Sequence, residues 1–226
     1  MPVRLRVNRR AKRLIVRVDP AEGAVVITAP SDRALPQAYA FAASRADWIE
    51  DQLAKAPRRV PFAPGETIPF RGAAHRLTLD PSRRVGVRRR SGETPELSIG
   101  GPAEHAPRRL EEWLRREAKA ALTNRVERHA GTLRRRVARM SVRDPQTRWG
   151  SCSSAASLSF SWRLIMAPPR VLDYVAAHEC AHLAHMNHGP QFWRTVERLI
   201  GDPEPAKAWL RREGPKLHRY GGPANR

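Results

Sequence analysis

With 226 residues, the chain has enough length for one large domain or two small ones with a proper core. Hydrophobic content of 41% fits a globular protein, and no run of 18 apolar residues exists, which excludes a membrane-spanning helix. A net charge of +20, from 42 basic and 22 acidic residues, points to a polyanionic partner, either nucleic acid or a nucleotide phosphate.

Of the basic residues, 37 are Arg and 5 are Lys, and Pro occurs 20 times. A GC-rich genome explains arginine over lysine but not the excess over acids. Two cysteines, Cys152 and Cys180, do not make a disulfide framework, and each reads as a small packing residue. The N-terminal stretch alternates charged and apolar residues without a signal-peptide core, so the cytoplasm is the expected compartment.

Residues 3–7, Val-Arg-Leu-Arg-Val, alternate strictly and predict a strand with one arginine face. Residues 13–18 and 24–29 predict two more, joined by a turn over Asp19–Gly23. Leu35, Tyr39, Ala42, Ala46, Ile49 and Leu53 recur at helical spacing, predicting one amphipathic helix to about Ala56. From Pro57 to Gly101, short strands flank Arg71-Gly72 and Ser91-Gly92 and predict hairpins on an antiparallel sheet. The run Arg88-Arg89-Arg90 at a hairpin end reads as a solvated face.

Gly100-Gly101-Pro102 is the expected boundary between a part spanning 1–102 and a domain spanning 103–226. Past it, Glu104 to about Ala130 predicts a long helix with Leu110, Leu114, Ala118, Leu122 and Val126 on its apolar side. Val137–Val142 predicts a strand. Leu158, Phe160, Trp162 and Leu164 alternate with polar residues and predict another over 158–165. Pro169 suits the first turn of the next helix, whose residues are apolar nearly all round. Helices over 190–200 and about 205–216 precede a basic tail.

The chemistry concentrates in His178-Glu-Cys-Ala-His-Leu-Ala-His-Met-Asn-His188. His178, Glu179 and His182 form the pattern H-E-x-x-H. On a helix the two histidines lie on one face, about 6 Å apart, and can converge on one small cation. Glu179 flanks the pair and reaches a water rather than the ion. A catalytic zinc wants three protein ligands and an open position. His185 is too far along a straight helix, at roughly 10 Å of rise from His178. His188 follows Asn187 and precedes Gly189-Pro190, where the chain should turn and bring it back as the third ligand.

Several residue sets coincide around this string: Arg148-Trp-Gly-Ser-Cys152, Trp162-Arg-Leu-Ile165, Asp173-Tyr-Val175, Met186-Asn-His188 and Phe192-Trp193. With it they resemble the bacterial YgjP-like metal-dependent hydrolases, relatives of the SprT-type zinc peptidases. The specific part of the resemblance is 148–193; the rest matches in pattern. The elements read above make an α+β chain whose N-terminal part is antiparallel and β-rich with one helix; the resemblance implies that a zincin-like catalytic domain follows, with a small sheet beside the metal helix. It further implies His178, His182 and His188 as ligands of one zinc or other divalent ion, with Glu179 as general base. The family's turn after R-W-G-S-C carries a glycine, where this chain has Ala155-Ala156. The spacing also equals that of the metzincins, but His185 stands at their glycine position and no Met-turn methionine follows.

The residues thus predict metal-assisted hydrolysis of a peptide or protein substrate. Tyr174, His185 and Arg148 are the candidates for stabilising the developing oxyanion or contacting substrate. The 158–165 strand is the expected edge for backbone addition of a peptide. A nucleotide phosphohydrolase on the same site is the alternative, and a nucleic-acid-binding protein with a structural metal is another. Against them stand the missing acidic cluster and the open fourth position.

Overall fold

The alternating residues at the N-terminus fold into a small sheet, as their period requires. In the computed structural model, which describes residues 3–19, 24–54 and 59–221, β1 (Val3–Val7), β2 (Ile15–Asp19) and β3 (Ala24–Ala29) lie in the order β1-β3-β2. Val25, Ile27 and Ala29 of the central strand are fully buried and meet Ala38 and Ile49. These two come from α1 (Leu35–Ala43) and α2 (Ala46–Ala54). The single expected helix is therefore two, broken where the Ser44 hydroxyl donates to the Phe41 carbonyl and competes with the helical ladder. Residues 20–23 of the expected turn and 55–56 of the expected helix lie outside the described residues. The sheet is mixed rather than antiparallel. β1 and β3 run parallel because β2, opposed in direction, separates them in sequence, while the most apolar strand takes the middle.

The chain divides between Arg59 and Val60, not at the Gly100–Pro102 turn. The physical reason is a shared core. Ile68, Phe70, Leu77, Leu97 and Ile99 pack in one cluster with Leu110, Leu114, Ala118, Leu122 and Val126. The first set comes from β4 (Thr67–Phe70), β5 (Ala73–Asp80) and β7 (Glu96–Gly100), which with β6 (Val87–Arg90) form a sheet ordered β4-β5-β7-β6. Both hairpins form as expected, but β5 and β7 pair in parallel, so this sheet is mixed too. The second set recurs every four residues along α3 (Ala106–Thr132), whose buried stripe covers the sheet.

Beyond α3 come β8 (Arg139–Arg143), β9 (Gly150–Cys152) and β10 (Ser157–Ser161), in the order β8-β10-β9. The alternation that predicted a strand to Ile165 continues past its end, since Trp162–Met166 form a tight 3₁₀ segment buried on every side. Ser161 caps it by accepting the Arg163 backbone N–H. Arg163 itself is 2% exposed. Its guanidinium is satisfied by both Asp144 carboxylate oxygens and by the carbonyls of Leu217 and Tyr220. One buried cation thus ties this segment to the loop before β9 and to the C-terminal tail. The tail then bridges back to Val60.

Candidate metal centre

The helix α4 (Pro169–Ala181), which carries His178 and Glu179, is held at both its start and its back. At the start, the Arg71-Gly72 turn donates its two N–H groups to the carbonyls of Ile165 and Met166. Gly72 has φ +83°, and a side chain there would stand 2.9 Å from Pro168 Cα, so the turn requires glycine on both counts. At the back, Asp173 takes two hydrogen bonds from Arg128 and lies 2.8 Å from His129 Nε2, joining α4 to α3. Burial alone would raise the Asp173 carboxyl, but the His129 hydrogen bond and charge and the Arg128 guanidinium outweigh it and hold it below the usual range.

At the other end, α4 stops at Ala181 with His182 as its cap residue, and the chain turns. α5 (Pro190–Ile200) then returns it past the helix end. This places one ligand-capable nitrogen each of His178, His182 and His188 within 4.8 Å of one another. The Nε2 atoms of His188 and His178 face each other at 3.1 Å. His182 Nδ1 lies 3.1 Å from the His185 carbonyl, which fixes that nitrogen as a donor and leaves Nε2 for a ligand. Burial, then the neighbouring His182, His188 and Lys207, push His178 down to about 4, so its ring stays neutral. Three imidazoles converging without a protein acceptor between them are a donor set suited to one divalent cation.

Phe192 forms the wall behind them, its ring centroid 4.9, 4.6 and 4.7 Å from those of His178, His182 and His188. Trp193 stands 6.0 Å from His178 and from His188. Over its face sits the Lys207 ammonium, at 4.5 Å, carried by α6 (Glu204–Glu213) and paired to Glu204.

Glu179 is 6% exposed, and burial pushes its carboxyl up to about 7, with the Arg148 charge pulling the other way. Its carboxylate fits because position 150 is glycine. A Cβ on Gly150 would lie 2.5 Å from Glu179 Oε1 and 2.8 Å from Cδ. Gly150 opens β9, which pairs with β10 on one side and forms the sheet edge on the other. The unpaired edge beside Glu179 is therefore β9, whose residues are half-buried. The expected edge at 158–165 is instead the central strand β10, because the polar Gly-Ser-Cys segment, too short to read as a strand, pairs outside it.

Of the other expected contacts, Tyr174 is buried one turn before His178, with ring centroids 5.8 Å apart. Burial, then the Glu204 and Glu179 charges, push its hydroxyl up to about 12, so it remains a donor. Arg148 is exposed, and its charge acts on Glu179. His185 enters through its backbone carbonyl; its side chain is not part of the histidine cluster. Cys152, half-buried on β9, donates to the Ser153 carbonyl, and burial followed by Glu179 raises its thiol. Gly150 lies in a three-residue strand too short to recognise, so its close approach to Glu179 left no signal in the sequence. Lys207 and Glu204 carry none either.

A helix bearing H-E-x-x-H, a third histidine returned by a turn, and a buried carboxylate at a strand edge define a metal-dependent hydrolase. The model of the YgjP-like metallopeptidase domain matches residues 12–213, and the chain belongs to this family. No curated individual protein matches the sequence significantly. The crystal structure of the metallopeptidase zymogen of Pyrococcus abyssi abylysin is similar over 45% of this chain and 99% of that one, with 21% identity and a TM-score of 0.37. Among the described residues, no helix is long and apolar enough to cross a membrane.

Proposed function

We propose that the protein is a zinc-dependent peptidase in which His178, His182 and His188 hold the ion and Glu179 is the general base. The observation that carries this reading is the buried Glu179 carboxylate beside three converging imidazoles and an unpaired strand edge. When bound, zinc supplies a Lewis acid that acidifies water and polarises a carbonyl. The chain's own residues do the rest. An extended peptide adds to the edge of β9, with backbone hydrogen bonds giving sequence-tolerant binding. Glu179 takes the proton of the attacking water on its carboxylate and delivers it to the leaving nitrogen. Tyr174, whose hydroxyl stays protonated, and Arg148, whose charge already reaches Glu179, are the groups we assign to stabilising developing negative charge.

Phosphate ester hydrolysis is disfavoured because it more often uses paired metals or carboxylate-bound magnesium. Among the described residues only the three-histidine group could hold an ion. The test compares wild type with Glu179→Gln for bound metal and for cleavage of unfolded protein and of nucleoside triphosphates. Equal zinc in both, with peptide cleavage reduced at least ~100-fold in the variant, is expected. Triphosphate hydrolysis lost in the variant would transfer the site to phosphohydrolase chemistry, and no bound metal would sink the proposal.

A further inference from the structure

The +20 charge is not explained by a peptidase site, and part of it is concentrated on one strip of the second unit. Residues 134–143, Arg-Arg-Arg-Val-Ala-Arg-Met-Ser-Val-Arg, hold five arginines and no acid. They run from the end of α3 into the edge strand β8, and all five arginines are exposed. Two shallow cavities continue the strip between β8 and α3 and along α3. One, of about 270 Å³, is lined by Arg115, Arg116, Lys119, Met140, Ser141 and Val142. The next, of about 370 Å³, shares Arg116 and Lys119 and ends at Asn124 and Glu127. Arg115 is paired with Glu111. Arg116, Lys119, Arg134, Arg135, Arg136, Arg139 and Arg143 have no acidic partner among the described residues.

Two features separate this strip from an ordinary solvated surface. An edge strand carries charge to discourage pairing with another chain. That role accounts for Arg139 or Arg143 but not for the triple arginine before the strand. Moreover, Arg134 closes α3 with φ +51°, its N–H donating to the Gly131 carbonyl, a conformation glycine adopts freely and arginine does not. A cation is thus kept where the backbone favours glycine, which points to a use for the charge.

We propose that the α3–β8 strip is a docking surface for the phosphodiester backbone of a nucleic acid, independent of the metal centre. From Arg116 to Thr132 the helix rises about 24 Å, which spans roughly seven phosphates of one strand at 3.4 Å each. Neither cavity has an aromatic lining residue, and the Trp162 ring under Arg115 is fully buried, so the surface reads charge rather than stacking on bases. Small or short side chains at Ala120, Thr123 and Ser141 let a backbone approach closely.

The test titrates the full chain against labelled 20-nucleotide single-stranded DNA, single-stranded RNA and duplex DNA at several salt concentrations. It is repeated with the variant Arg134→Gly, Arg135→Gln, Arg136→Gln, Arg139→Gln. Expected is wild-type binding that weakens log-linearly with salt, at least ~10-fold weaker in the variant, with a slope smaller by about 3. Preference among the three probes identifies the strand form. Glycine fits the Arg134 backbone, so the variant should fold as well as wild type. If it does not, Arg135→Gln, Arg136→Gln, Arg139→Gln, which leaves the turn untouched, decides. Three results would overturn the proposal: unchanged binding in the variant, binding lost only on neutralising Arg9, Arg10, Lys12 and Arg13, or tighter binding to phosphatidylserine vesicles than to any strand.

Discussion

Two kinds of histidine stand against each other in the second unit. His75 and His129 are essentially unexposed, at 0% and 1%, and each ring has a protein partner. His75 receives the Arg89 guanidinium on Nε2 and places Nδ1 2.9 Å from the Ala73 carbonyl, and His129 meets Asp173. His178, His182 and His188 are more open, yet their nitrogens point at one another. A structural histidine is satisfied by the protein, whereas a ligand-ready histidine is held by one nitrogen or by packing while the other stays available. The difference predicts that the two sets fail in different ways.

The largest expected effect separates them directly. His182→Ala should lose metal and activity together while the apo protein's urea midpoint moves little. His129→Ala should keep stoichiometric metal but lower the midpoint, because Asp173 would remain beside α3 with one buried partner gone. Metal analysis and urea melts of both variants check this. A midpoint loss of similar size in the two would erase the distinction.

Next in size is the glycine under Glu179. Gly150→Ala places a methyl group against the carboxylate, so the carboxylate must move. Peptidase activity should fall at least ~10-fold at unchanged zinc content, since misplacing a catalytic group by about 1 Å is that costly. Unchanged turnover would remove Glu179 from the role of base.

Asp173 sharpens the structural side. Its carboxyl is held below the usual carboxylate range in the fold. The stability it contributes is therefore fully present above about pH 4 and is lost as pH falls through the depressed folded value. Asp173→Asn should lower stability by about 2 kcal/mol at neutral pH. The gap from wild type should stay constant across pH 6–8 and narrow as pH falls from about 4 through the depressed folded value. A gap that did not narrow at all on acidification would mean the residue acts through packing rather than charge.

The same contrast governs what could be read in advance. The three clustered histidines and Glu179 lie within eleven residues, and the end of one helix with the turn after it is enough to bring them together. What escaped depended on partners distant in sequence. The parallel pairing of β5 with β7, and the core shared across Gly101, follow from packing against α3 rather than from any local pattern. Leu158 to Leu164 alternated like a strand to the end because the tight segment Trp162–Met166 buries all its residues, leaving no polar period to betray it. Lys207 reaches the centre from α6, on a helix whose sequence carries only ordinary amphipathic spacing.

The smallest effect returns to a turn where this chain departs from the pattern that the resemblance implies. The turn joining β9 to β10 has Ala155-Ala156 where the resemblance leads one to expect glycine. Ala156 sits at φ +54°, with its N–H donating to the Ser153 carbonyl. The backbone has kept the left-handed turn, so Ala156 bears the steric cost of a Cβ against its own carbonyl, of order 1 kcal/mol. Ala156→Gly removes that clash and gives back part of the gain through the greater freedom of the unfolded chain. A net stabilisation of roughly 0.5 kcal/mol is expected in urea melts, with zinc content and turnover unchanged, because the turn lies at the far end of β9 from Gly150. Destabilisation would instead show that the Ala156 methyl packs well enough to outweigh its backbone strain.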